Sequence, residues 1–408
     1  MRLYLCAMVD GDSGMQGTHR LSISLLIVIR VMRSATAGII NLVFPYMVLS
    51  EMRHGSLVLG LIYTAATIST ALLAVAIGFV ADVSRKWTYV CTLALLPVSV
   101  AVLTLSSGVA ALSVAAVVGG YSATGSLAGG GIGGAVQPIQ SAITSDVTAR
   151  EERTTYFSRL GFLAAMSSAG SAFVSGVALT TRSASFAELV LLALVMGIAS
   201  TVPALFIKTR ERERRGKMGL KNGRAIGKFT LTGMLNGFSN GLITPFLIPF
   251  FILAYGVPAG QMGLYASASG LIGGFSLLLA PRIERALGFL RGILVTRGVN
   301  IVLALVFPFV HVLYVSVLLY LFFPALRVAA LPVQQTALTD MVADNELGRA
   351  FGINQASRLL VGSTGTAFSG YEFDVSQVEI PFISYAVVLG LNLYLYTRFF
   401  STYRSPLS

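Results

Sequence analysis

The residues in this sequence most able to do chemistry are arginines that lie inside long apolar segments. Arg327 is near the middle of the apolar segment 313–339, Arg33 lies well inside the segment 21–48, and Arg358 lies inside 351–371. A charge at the centre of a membrane-spanning helix costs about 3 kcal/mol on insertion scales. Arg327 is therefore expected either to bond to nearby carbonyls and amides or to bind a ligand. For Arg33 the alternative to ligand binding is snorkelling of the side chain to the membrane surface.

No Asp or Glu lies deep in any apolar segment, so nothing acidic in these segments would neutralise the arginines. This pattern favours a site for a carboxylate, a phosphate or another electron-rich polar group. Amide side chains occur in the same segments, although bonding between helices is the commoner role of each amide taken alone. The predicted substrate-binding residues are Arg33, Asn41, Gln137, Asn236, Asn240, Arg327 and Arg358.

Other kinds of chemistry find no matching residues. Neither a metal-ligand cluster nor a nucleophile triad is present, and the two cysteines, Cys6 and Cys91, cannot form a disulfide framework. The run 129–134 satisfies G-x-G-x-x-G, but no strand precedes it and no acid follows at the required spacing, so a dinucleotide site is rejected. We therefore predict that the protein is not an enzyme and uses no cofactor. Proton coupling is disfavoured because no histidine and no carboxylate is central.

The composition shows what kind of element must position these residues. Of the 408 residues, 55% are apolar and 11% are charged, against about 25% charged in an ordinary soluble domain. The mean hydropathy is +0.79. Soluble enzymes and disordered proteins are excluded. Because lipid satisfies no backbone groups, the apolar segments must be helices. We mark twelve spans: 21–48, 57–80, 87–106, 109–143, 155–180, 187–207, 229–254, 258–281, 292–310, 313–339, 351–371 and 381–399.

Positive charge is concentrated in alternate loops. The segment 208–228 holds nine Lys or Arg residues and only two acids, and the net charge of the chain is +12. By the positive-inside rule, both termini are cytoplasmic, and we expect the protein in the cell membrane. The segment should contact anionic lipid. Nucleic acid is not expected, because the segment has no aromatic residue for base stacking.

The chain contains an internal repeat. Residues 140–173 match residues 335–368 at a constant offset of 195, and Gly38 and Asn41 match Gly233 and Asn236 at the same offset. Duplicated halves build alternating access around a central site in many secondary transporters. The predicted organisation is a tail (1–20), a first six-helix half (21–207), a basic linker (208–228), a second six-helix half (229–400) and a tail (401–408).

A motif after the second span resembles the signature of the major facilitator superfamily. Gly78, Asp82, Arg85 and Lys86 match that signature, and Ser84 stands where a second glycine is usual. The resemblance implies an all-helical membrane fold of twelve helices in two pseudo-symmetric bundles. It also implies that Asp82 is a conformational latch. The predicted gate comprises Gly78, Asp82, Arg85, Lys86, Gln140 and Gln335, and a weaker equivalent in the second half comprises Ala280, Glu284, Gly288 and Arg291.

The predicted function is transport of a small anionic or polar organic solute by alternating access, by a protein expected to be monomeric. One alternative is an efflux permease for amphipathic compounds, which would suit the apolar, aromatic-bearing interior. An alternative of another class is a membrane sensor of the same fold that transports nothing.

Overall fold

The protein is all-helical over the residues that its structure, a computed structural model, describes. These are residues 16–80, 85–105, 108–121, 134–136, 139–140, 143–144, 153–207, 223–342 and 347–401. Gln137, Asp82 and residues 208–222 of the predicted basic linker lie outside them, as do the two terminal tails apart from residues 16–20 and Ser401.

Over the described residues, the first part of the chain contains helices α1 to α6. They are α1 (Gln16–Tyr46, followed by a π-helical turn Met47–Glu51), α2 (Ser56–Val80), α3 (Arg85–Leu105), α4 (Val109–Gly119), α5 (Arg153–Thr180) and α6 (Phe186–Thr201). A 3-10 turn, Val202–Phe206, extends α6. Ser185 and Glu188 start α6 with a reciprocal capping box, in which each side chain accepts a hydrogen bond from the other residue's backbone N–H.

The second part forms α7 to α13. They are α7 (Gly223–Ile243), α8 (Leu247–Tyr255), α9 (Ala259–Val306), α10 (Leu313–Ala329), α11 (Leu331–Met341), α12 (Leu347–Asp374) and α13 (Glu379–Phe400). A 3-10 turn at Thr244–Phe246 separates α7 from α8, so that one predicted span is built from two helices. Pro332 stands in the first turn of α11, directly after the break at Ala330, where a missing N–H does no harm.

Most of the predicted spans coincide with helices of the structure, and the fourth is described only in part. Within the described ranges, nine helical runs are long and apolar enough to cross a membrane, and the run Ala259–Phe309 contains two predicted spans. Helix α12 covers the predicted eleventh span. Of the fourth predicted span, the described residues contain α4, the 3-10 turn Gly134–Val136 and two helical residue pairs.

The connection between the eighth and ninth spans is shorter than expected. Instead of a loop from 282 to 291, helical backbone continues on both sides of Gly288, which alone breaks α9 with φ 73° and ψ 172°. This region of backbone space is essentially restricted to glycine. The polar residues Arg282, Glu284 and Arg285 extend the helix because they are adequate helix formers, even where they are too polar for the hydrocarbon.

Over the described residues, two helix pairs make the most extensive contacts between the first part of the chain and the second. Helix α5 packs on the first part of α9, and α2 packs on α12. At the start of α2 and the end of α12, a Cβ added to Gly60 would lie 2.7 Å from Cα of Gly370. The two backbones therefore meet in direct contact, as small residues allow in membrane helices.

The hydrophobic clusters differ between the two ends of the molecule. Leu42 and Tyr46 of α1 share a buried cluster with Leu242 and Phe246 of the second part. At the opposite end of α1, Leu26 belongs to a cluster whose buried members all come from the first part, and the corresponding cluster around Phe229 draws only on the second part. Among the described residues, the two parts therefore share a large buried cluster at the end predicted to be extracellular, besides a small cluster of Ala165, Leu277 and Val328.

Candidate functional site

The best-defined polar constellation surrounds Arg327, in the last turn of α10. Its guanidinium Nη1 donates to Oδ1 of Asn240 at 3.3 Å and to Oγ1 of Thr244 at 3.1 Å. Asn240 is buried on α7, and Thr244 is the first residue of the 3-10 turn that interrupts α7 and α8. The arginine thus binds where a spanning helix is broken, which is a common way to build a site at membrane depth.

Asn300 in the second part of α9 supports the turn of α10 that carries Arg327. In the orientation that satisfies both ends of its amide, Asn300 donates to the carbonyl oxygen of Phe323 at 3.1 Å and accepts from the backbone N–H of Arg327 at 3.2 Å. The side chain is 1% exposed. This bridge fixes the backbone below the guanidinium, and so helps to position it.

A proline next to this turn adds a further constraint. Pro324 lies inside α10 and has no N–H, so the carbonyl oxygen of Tyr320 loses its helical donor. The hydroxyl of Ser269 in α9 donates to that oxygen at 3.0 Å. Replacement of a lost helical bond by a neighbouring serine is how proline is tolerated in membrane helices.

Arg358 lies half-buried on α12, and its Nη2 donates to Oε1 of Gln355 at 2.7 Å. The backbone of this turn packs on α7, because a Cβ at Gly237 would overlap the carbonyl oxygen of Arg358. Gly237 directly follows Asn236, which is also buried. The structure therefore brings the turn of Arg358 against the helix that carries Asn236 and Asn240, two of the three predicted asparagines.

Arg33 belongs to a different environment. It is 3% exposed on α1 and lines a narrow pocket with Thr70 of α2 and Thr92 of α3, beside Gly119 at the end of α4. Asn41, two turns further along α1, is half-buried.

The predicted gate residues fall into two groups. Arg85 and Lys86 begin α3 and are half-buried, which places them at the end of the bundle predicted to be cytoplasmic. Gln140 is buried, and its Oε1 accepts from Nη1 of Arg30 at 3.2 Å, so its described contact is with α1. Gln335 is half-buried on α11, and Gly78 lies in the last turn of α2.

Sequence reasoning missed several polar residues that the fold brings to these arginines. Residue type does not identify Thr244, Gln355 and Asn300 as partners of an arginine, because threonine and amides are common in membrane helices. Arg297 was visible in the sequence as a cation inside the ninth predicted span. It is 5% exposed, donates to Oδ1 of Asn392 and lies over the Tyr396 ring at 4.8 Å.

Together, these side chains present N–H donors inside the predicted spans. Arginine side chains and amides can hold a carboxylate, a phosphate or a hydroxyl group of a solute. Within the described residues, no group of three or more His, Cys, Asp or Glu side chains is placed to hold a metal ion.

Comparisons with known proteins point to one family. The model of the Major Facilitator Superfamily matches residues 26–328. No curated protein matches the sequence. The fold is similar to that of the human organic anion transporter MFSD10 (TETRAN), at a TM-score of 0.71 and 13% identity, over 93% of this chain and 99% of that chain.

Two further solved structures are similar. The nucleoside transporter NupG gives a TM-score of 0.69 at 12% identity, over 93% of this chain and 99% of that chain. A bacterial homologue of the human lysosomal transporter Spinster, solved in an inward-facing and unoccupied conformation, gives 0.68 at 14% identity, over 96% and 100%. At these identities the similarity shows the fold.

Proposed function

The chain belongs to the Major Facilitator Superfamily, and from this membership we propose that it carries a small anionic or polar organic solute across the cell membrane by alternating access. It is a multi-pass membrane protein of a transporter fold. One fold serves many cargoes, so the residues of the site, and not the fold, must select the solute.

The observation that carries the proposal is the Arg327 constellation. A guanidinium in the middle of a span is costly in hydrocarbon, and here it is held by Asn240 and Thr244 at the break between two helices. Both partners are neutral oxygens, and these two bonds orient the guanidinium. A solute that brings a negative charge to this place would gain strongly, since charges interact more strongly away from water.

Other features support an anionic cargo. Arg33, Arg297 and Arg358 add further cationic side chains that are buried or half-buried in spanning helices. One of the structural neighbours is an organic anion transporter. For an uncharged polar part of the solute, Asn236 and Asn41 are the proposed hydrogen-bonding partners.

Alternating access is supported by the packing. Over the part of the chain that the structure describes, the two parts share a large hydrophobic cluster at one end of the bundle, and the clusters at the other end each belong to one part. Helix α1 packs on α5 as α7 packs on α12, which is the pairing expected if the repeat at offset 195 reflects two equivalent halves. We propose that these halves pivot as a monomer, with the 208–228 linker and both termini in the cytoplasm.

The test is solute flux into proteoliposomes, with a panel of organic anions, neutral polar solutes and lipophilic cations. The parent protein should carry one or more anions, and Arg327→Ala should lower that flux about a hundredfold, as expected for losing roughly 3 kcal/mol of charge pairing. Arg398→Ala is the matched control, since it removes an exposed arginine from the last turn of α13. Carriage of a lipophilic cation that is insensitive to Arg327→Ala would contradict the anion proposal.

The same assay separates the alternatives. Efflux of amphipathic compounds would need exposed aromatic surface in the cavity, whereas Phe246, Phe250, Phe307 and Phe373 pack on other rings in the buried core. A non-transporting sensor would show no counterflow of any solute in the panel. Strict dependence on a pH gradient would contradict our interpretation that no carboxylate carries a proton.

A further inference from the structure

The carboxylate of Asp374 lies at the N-terminus of α2, although the two are far apart in the sequence. The carboxylate Oδ1 of Asp374, the last residue of α12, accepts from the backbone N–H of Leu57 at 3.3 Å and from Oγ of Ser56 at 3.4 Å. These residues open α2, and Asp374 is 318 residues from Ser56. The contact therefore joins the first part of the chain to the second.

Gly55, the residue before α2, leaves room for the carboxylate of Asp374 to approach the helix. A Cβ at Gly55 would overlap Oδ1 of Asp374, so glycine leaves the space that the carboxylate occupies. The first N–H groups of a helix have no intrahelical partners, and the helix dipole makes a negative charge favourable there. Asp374 thus supplies to α2 the cap that an N-terminal residue of α2 would otherwise provide.

Neighbouring contacts show that this end of the molecule is closed. One turn into α2, Gly60 meets Gly370 of α12 backbone to backbone. Two turns into α2, Oγ1 of Thr64 donates to the carbonyl oxygen of Ser363 at 3.3 Å. On α1, the hydroxyl of Tyr46 donates to the carbonyl oxygen of Val257 at 2.7 Å.

We propose that Asp374 is an extracellular latch, whose bond to the start of α2 forms when the outer side of the transporter closes and breaks when that side opens. The proposal rests on the alternating access proposed above. Separating the two halves at this end takes the carboxylate away from the helix N-terminus, so the charge stabilises only the closed arrangement. Removing it must raise the population that is open to the outside.

The experiment measures that population by cysteine labelling from outside intact cells. Ser363→Cys is the reporter, since its side chain is small, 2% exposed and next to the α2 contact. It is placed in a Cys6→Ser, Cys91→Ser background and labelled with a membrane-impermeant methanethiosulfonate. Asp374→Asn removes the charge with little change of shape, and Gly55→Ala displaces the carboxylate but keeps the charge.

Both variants should speed labelling about three- to tenfold, the range expected when a charge leaves a helix N-terminus together with its hydrogen bonds. Glu379→Gln is the matched control. It removes an exposed acid from the first turn of α13, close in sequence to Asp374, and should leave the rate unchanged.

The outcomes separate the latch from the function on which it rests. Unchanged labelling in both Asp374→Asn and Gly55→Ala would overturn the latch, as would an equal rise in Glu379→Gln. The reporter without any further substitution is also labelled in intact cells and in inverted vesicles, which expose opposite sides of the membrane. If it reacts from one side only, alternating access fails and the latch fails with it. Monodisperse elution of each purified variant verifies that the labelling reports a folded protein.

Discussion

The close contact of α2 and α12 at Gly60 and Gly370 allows a quantitative prediction about the equilibrium between the outside-closed and outside-open states. A Cβ at Gly60 would lie 2.7 Å from Cα of Gly370, about 0.7 Å short of the 3.4 Å at which ordinary contact begins. The neighbour is backbone, so the helices must separate and no flexible side chain can give way. Overpacking of this kind costs about 1–3 kcal/mol.

That cost applies only to the state in which α2 and α12 touch. Gly60→Ala should therefore shift the protein from outside-closed to outside-open about 5- to 150-fold, since each 1.4 kcal/mol is a factor of ten. Gly370→Ala should act in the same direction, because its Cβ would lie 2.9 Å from Cα of Gly60.

The assay is the labelling rate of the Ser363→Cys reporter, measured together with the melting temperature. Gly390→Ala on α13 is the control, since a Cβ there would meet nothing within 4 Å. It should leave labelling unchanged and stabilise the helix by up to about 1 kcal/mol. Equal labelling for Gly60→Ala and Gly390→Ala would refute the inference that this crossing holds the outer side closed.

Two further predictions concern stability. Ser269→Ala should lower the free energy of unfolding by about 1–3 kcal/mol, because it leaves the Tyr320 carbonyl oxygen without a donor. Ser276→Ala is the control and should cost less, because its acceptor, the carbonyl oxygen of Ala325, keeps its helical bond. Thermal unfolding compares the two variants. Gly288→Ala should lower the melting temperature, since alanine is strained at φ 73° and ψ 172°. Gly298→Ala, in a helical site with nothing within 4 Å, should not lower it, and equal melting temperatures for Gly288→Ala and Gly298→Ala would contradict the strain argument.

The site was partly predictable because charge in an apolar segment stands out in any sequence. Arg327 and Asn240 were both predicted, and the structure shows them bonded to each other. Thr244 was not predicted, although it binds the same guanidinium nitrogen. A threonine in a membrane helix usually bonds to its own helix, so only the break after α7 reveals that this one turns to a partner.

For Gln140 the sequence predicts a role but not the bonding partner. Its position near a helix end predicts a gate between halves, whereas its described bond is to Arg30 within the first part of the chain. Polar residues on a spanning helix have several possible partners at similar depth, and the sequence does not order them. Gly288 was predicted only as part of a weak motif. Residue types do not show that this glycine alone would form the break between two spans.

The sequence by itself determined that this chain crosses the membrane as helices and that cations lie inside them. Both follow from local quantities, namely the length of apolar segments and the need of every backbone group for a partner in lipid. Only the tertiary structure decided which residues meet, such as Asp374 and Ser56, 318 positions apart. Helix pairing depends on the shapes of two surfaces at once, on where glycines let backbones touch and where prolines free a carbonyl, and no single segment contains that information.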